Sequence, residues 1–156
     1  MREKKKVKMK MCIAGIIIII FIGICYCTSG KLHGKSEHIE GDNIEVISSR
    51  FTNLSNILKC CYEIDIVSAG GIGPVRYNIR ALIIIDEKET KRLKTEYNWI
   101  MTEMIVDEKF YKSLEIEEIN EWLYCKDFCS ETLKNGFAGE VYFSEKGNCI
   151  CIFAGM

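Results

Sequence analysis

Glu140-Val-Tyr-Phe-Ser144 and Cys149-Ile-Cys-Ile-Phe153 are two alternating runs joined by Glu145-Lys-Gly-Asn148. A two-residue period on both sides of a short glycine-bearing loop specifies a β-hairpin, with successive side chains on opposite faces. Upstream, the same period holds over Cys60–Val67, placing Cys60, Tyr62, Ile64 and Ile66 on one face. Tyr77–Ile85 (YNIRALIII) ends in a β-branched run that predicts a strand buried on both sides. Between those two runs, Ser68-Ala-Gly-Gly-Ile-Gly-Pro74 reads as a hairpin connection. The chain therefore carries two hairpins.

Helices fill the gaps. Ile44, Ile47, Phe51, Leu54 and Leu58 recur at three- and four-residue steps, which predicts an amphipathic helix. Asp86 with Glu89 forms a capping-box signature, and Leu93, Tyr97, Ile100, Met101, Met104 and Ile105 would carry that helix to Ile105. Trp99–Val106 also fits a strand. Asp107 is a second cap. Ile116, Ile119, Trp122 and Leu123 predict a helix with Glu115, Glu117, Glu118 and Glu121 outside, and a further short helix runs from Asp127 to the Asn135-Gly136 stop. The expected fold is α+β: a small antiparallel sheet of two hairpins packed against helices, preceded by an N-terminal hydrophobic membrane helix.

That preceding segment is unmistakable in character. Arg2, Lys4, Lys5, Lys6, Lys8 and Lys10 lead into Met11–Cys27, which carries no charge. A basic stub followed by an apolar run is the pattern of an exported or anchored protein. Eight isoleucines and Phe21 contribute about −4 kcal/mol in total on the insertion scale. The run would span about 26 Å as a helix against about 30 Å of hydrocarbon. A retained single-pass anchor with the N-terminus inside, a cleaved signal and an atypical lipoprotein all fit, and each delivers the rest of the chain outside. The expected organisation is a signal-anchor over 1–27, a linker over 28–42 and an exported domain over 43–156. The expected partner of residues 11–27 is the lipid bilayer.

Charge excludes one class of partner. Residues 1–35 hold eight basic side chains and one acid, whereas residues 36–156 hold thirteen basic and twenty-one acidic ones, a net of −8. An acidic exported domain argues against nucleic acid, since phosphate neutralisation needs a basic face.

Six cysteines lie in the exported part: Cys60, Cys61, Cys125, Cys129, Cys149 and Cys151. Outside the cytosol they could form disulfides in fifteen connectivities, or pack as reduced core residues. A four-thiolate site from Cys125, Cys129, Cys149 and Cys151 has a spacing that matches no common zinc pattern. Gly70-Gly71-Ile72-Gly73 lacks the following helix start that phosphate binding needs. Both histidines, His33 and His38, fall in the expected linker, away from any nucleophile. Glu63 and Asp65 share a strand face and Asp86 ends the central strand, so carboxylate chemistry competes with a solvated face and a helix cap. Asn53-Leu54-Ser55 is a glycosylation sequon, relevant only in a eukaryotic secretory pathway. No residue set specifies catalysis, a cofactor or a metal.

The stretch GGIGPVRYNIRALIIIDEKETKRL (70–93), with EYNW (96–99) after it, resembles uncharacterised small bacterial exported proteins and predicted lipoproteins. The resemblance covers Ala69 to Trp99 and carries no known activity, and this chain lacks a clean lipobox. The expected role is a non-catalytic binding or envelope-associated accessory domain. The alternatives are a small carboxylate-using enzyme and a protective or inhibitory partner protein.

Overall fold

A computed structural model of the protein describes residues 36–68, 74–134 and 136–156. Seven strands form one sheet: β1 Ser36–Gly41, β2 Ile57–Ser68, β3 Val75–Ile85, β4 Ile100–Thr102, β5 Trp122–Tyr124, β6 Ala138–Ser144 and β7 Cys149–Gly155. Four short helices accompany them: α1 Ile44–Ser48, α2 Glu87–Glu96, α3 Glu108–Leu114 and α4 Lys126–Thr132. The strand order is β1-β2-β3-β7-β6-β5-β4.

The expected α+β arrangement of a small two-hairpin sheet beside helices is corrected by this topology. Both hairpins exist, but β3 and β7 pair antiparallel from Asn78↔Gly155 to Ile84↔Cys149 and fuse them into one sheet-dominated fold. The reason is burial. Ile79, Ala81, Leu82 and Ile83 on β3, and Cys149–Ile152 on β7, are buried on both faces, so each strand needs a neighbour on both edges and a layer above and below. The expected membrane helix lies outside the described residues. Among those described, no helix is long and apolar enough to cross a membrane.

Alternation divides the core into two. On the first face, Cys60, Tyr62, Ile64, Ile79, Ile83, Val141, Phe143, Ile150 and Ile152 pack with Ile47 of α1, Leu93 of α2 and Phe128 and Cys129 of α4. On the second, Cys61, Leu82, Cys149 and Cys151 meet Phe110, Tyr111 and Leu114 of α3, with Trp122 fully buried beside them. The C-terminal hairpin follows the quoted sequence, with Val141↔Ile152 and Phe143↔Ile150 facing the first core. Asn148 closes its turn at φ 48°. Gly139 in β6 has φ 152°, and a Cβ there would lie 2.0 Å from the Phe153 carbonyl oxygen, so only glycine fits.

Three helical expectations are also corrected. The helix through Ile44, Phe51 and Leu58 is only α1; the chain turns at Asn53 and Asn56, both at positive φ, and Leu58 belongs to β2. Helix α2 stops at Glu96 instead of Ile105, because Trp99 Nε1 donates to the Leu93 carbonyl at 2.8 Å and the chain leaves as strand β4. Trp122 and Leu123 lie in β5, paired with β4 through Thr102↔Trp122 and Met101↔Leu123. In α2, Asp86 accepts from the Glu89 N–H at 2.7 Å as the cap predicts. Glu89 does not turn back to complete the box. Its carboxylate is buried and takes a bidentate contact from Arg92, at 2.6 and 2.9 Å, and the Ser55 hydroxyl at 2.6 Å. Burial pushes Glu89 up, but Arg92 and Ser55 outweigh it and hold the carboxyl below its ordinary value.

Candidate functional site

The sheet's second face carries a cluster of charge that neighbouring strands assemble. Alternation puts Glu63 and Asp65 on the same side of β2, and antiparallel pairing sets Glu40 against Glu63 and His38 against Asp65. His38 is therefore not in a linker. It sits in edge strand β1, where Nδ1 lies 2.6 Å from Asp65 Oδ1 and Nε2 lies 3.1 Å from Glu40 Oε1. The Asp65 hydrogen bond, seconded by Glu40, raises the His38 pKa, and the same bond lowers that of Asp65. Carboxylates on both ring nitrogens require both to carry protons, so the arrangement favours the imidazolium.

Glu63 is only 4% exposed and is met by cations from two directions. Arg80 on β3 brings Nη2 to 2.8 Å from Oε2, and Lys109 on α3 contacts Oε1. The Arg80 approach is off the hydrogen-bond direction, so Oε2 has a charge partner but no directed bond. Coulomb attraction does not depend on that angle, and the pair is held together electrostatically. Glu63 in turn raises the pKa of Lys109. The expected solvated face thus holds for Asp65 but not for Glu63. Asp86, the third sequence candidate, caps α2 and takes no part in this cluster.

A cleft of about 380 Å³ opens beside the cluster, lined by Asp42, Cys60, Tyr62, Glu63, Lys109 and Phe110. Its two thiols are poor nucleophiles. Burial raises Cys60 to about 11 and Cys61 to about 12, and their sulfurs face the carbonyls of Asp42 and Phe110. His38 has no ring nitrogen left to act as a base toward them. The ligand atoms of His38, Glu40 and Glu63 lie within 4.8 Å of one another. Lys109 and Arg80 already neutralise Glu63, so the cluster is a self-satisfied ion network rather than an open donor set.

The six cysteines among the described residues are buried free thiols. Cys60, Cys125 and Cys129 join the first core, and Cys61, Cys149 and Cys151 the second. The sheet itself separates Cys125 and Cys129 from Cys149 and Cys151, so these four cannot converge on one ion. Cys129 and Cys149 point their sulfurs at the carbonyls of Gly139 and Gly147, at 3.4 and 3.0 Å. The sequon Asn53 is likewise occupied, donating to the Tyr97 hydroxyl at 2.6 Å. The glycine loop 70–73 and His33 lie outside the described residues.

Sequence reading missed the sheet's other edge. Strand β4 is a terminal strand, and Ile100, Met101 and nearby Ile105 are 69%, 72% and 94% exposed. The signal was the strand reading of Trp99–Val106; its place at an edge depended on the order of all seven strands. No protein family, curated protein or solved structure matches the chain.

Proposed function

We propose that the protein is an exported, membrane-associated binding domain without catalytic activity, docking its partner through the β4 edge. The basic stub and charge-free run at 2–27 support delivery across a membrane. The observation that carries the binding role is this edge, which has no strand neighbour beyond it among the described residues: Ile100 and Met101 point to opposite faces of β4 and both are largely exposed. An open apolar strand edge is a template for pairing with another chain, and proteins that do not use such an edge blunt it. The enzyme alternative, resting on Glu63, Asp65 and Asp86, is disfavoured because Arg80 and Lys109 neutralise Glu63, His38 pairs with Asp65, and Asp86 caps α2. A photo-crosslinker placed at residue 101 or 105 in the producing cells should give one discrete adduct. Placed at Leu58, which is also exposed but lies on β2, it should not. Equal labelling from all three positions would count against the reading.

The net charge of −8 over residues 36–156 favours a protective or inhibitory role within this binding class, directed at a basic target.

A further inference from the structure

The two edges of the sheet are treated in opposite ways. Strand β1 is Ser-Glu-His-Ile-Glu-Gly, with three ionisable side chains in six residues and one large apolar side chain, Ile39, 36% exposed. Charged side chains on an edge are the usual device against unwanted pairing. Residues 99–105 (Trp-Ile-Met-Thr-Glu-Met-Ile) contain a single charge, Glu103, and neither lysine nor proline. One edge is guarded by charge; the other is a three-residue strand whose exposed side chains are apolar.

The surroundings of the open edge say what it fits. Directly after β4, a cleft of about 530 Å³ is lined by the apolar Met104, Val106 and Ile119, with the exposed Ile105 at its mouth, and by the acidic Glu103 and Glu118. Among the described residues, no lysine or arginine pairs with Glu103, Glu115, Glu117 or Glu118, whereas Glu121 is neutralised by Lys146. A second copy of this chain is a poor occupant, because it would bring another −8 domain and another Glu103 against the same rim.

Resting on the binding reading above, we infer that the β4 edge accepts an extended, basic segment of a partner protein by strand addition. The partner's backbone extends the sheet past β4. Its side chains alternate between the two faces, so apolar ones cover Met101 on one face, while lysines or arginines on the other lay their stems over Ile100 and reach the acidic rim of the cleft. Main-chain hydrogen bonds supply affinity in such complexes, and the alternating side chains supply selectivity.

The test titrates the full-length protein in nonionic detergent with a short peptide of alternating valine and lysine, and with its valine–glutamate counterpart. The lysine peptide should bind, slow amide exchange at residues 100–105, and weaken as salt rises. Glu103→Lys and Met101→Lys should each reduce its affinity by about tenfold or more, while Ile39→Lys at the other edge should leave it unchanged. Residues 39 and 101 are exposed enough to accept lysine without unfolding the domain, and Glu103→Lys reverses charge without touching the strand. Equal binding of both peptides, slowed exchange away from β4, or a concentration-dependent dimer abolished by Met101→Lys would overturn the inference. If the lysine peptide fails to bind while the crosslinker at residue 101 still traps a partner in cells, strand addition of a basic segment is wrong and the binding reading stands.

Discussion

His38 sits between two carboxylates on an edge strand that buries almost nothing, so its charge bears directly on how β1 is held. Its folded pKa is raised above the ordinary 6.5, so its contribution is fully present below that value and is lost as pH rises through the raised one. Asp65 is lowered from its ordinary 3.8, so its contribution is present above that value and is lost as pH falls through the lowered one. The clamp is strongest between the two ordinary values. Amide exchange at residues 36–41, corrected for intrinsic rate, should be slower at pH 6 than at pH 8. His38→Gln should remove that difference, and a difference that survives it would place the titration elsewhere. The cysteines make a second residue-scale case. With Cys60, Cys61 and Cys149 raised to between about 11 and about 12, little thiolate exists near neutral pH. Burial shields the other three as well, so alkylation of the folded protein should be slow at all six cysteines of residues 36–156. In denaturant without reductant all six should react, and two unreactive cysteines would reveal a disulfide.

Elements were decided by which neighbour each segment found. The run from Leu93 to Ile105 has helical spacing throughout, yet the helix ends at Glu96 because Tyr97 and Trp99 are drawn into an aromatic group with Phe128 and Phe143, at centroid distances of 4.9–5.8 Å. A continuing helix would carry those rings away from the first core. The same competition turned Trp122 into a strand residue, fully buried with Nε1 donating to the Ile119 carbonyl at 3.1 Å. Phe143 is the inward residue of the C-terminal hairpin and is wholly buried, whereas Phe153 on the opposite face is only partly covered. Phe143→Ala should therefore cost about 3–5 kcal/mol and Phe153→Ala substantially less. Urea unfolding of both variants tests the assignment of faces; a reversed order would mean that the alternation has been read in the wrong register.

At the scale of the whole molecule, the proposed export rests on the distribution of charge. The first 35 residues are basic and the rest acidic, which fits a stub retained on the cytosolic side and a domain delivered beyond it. A reporter active only in the cytosol, fused after residue 40, should give no signal. The same reporter on a chain whose six N-terminal basic residues and isoleucine run are deleted should be active. Strong activity in the intact fusion would remove the localisation.

Sequence alone determined the hairpin at 140–153, the doubly buried strand at 77–85, the Asp86 and Asp107 caps, and the opposed charges of the two ends. Each rests on near neighbours: a two-residue period, a β-branched run, a side chain reaching an N–H two or three residues on, a local count of charge. Only the tertiary structure decided that β3 and β7 join, that Ser36–Gly41 is a strand, and that His38, Glu63, Asp65, Arg80 and Lys109 meet. Those contacts bridge from about 15 to more than 70 positions along the chain. Strand pairing across such separations leaves no local pattern, because it is selected by the common burial of faces that the sequence lists far apart. The cysteines show both sides at once. Their alternation along β7 was legible, but which core received each sulfur was fixed only when the sheet closed between them.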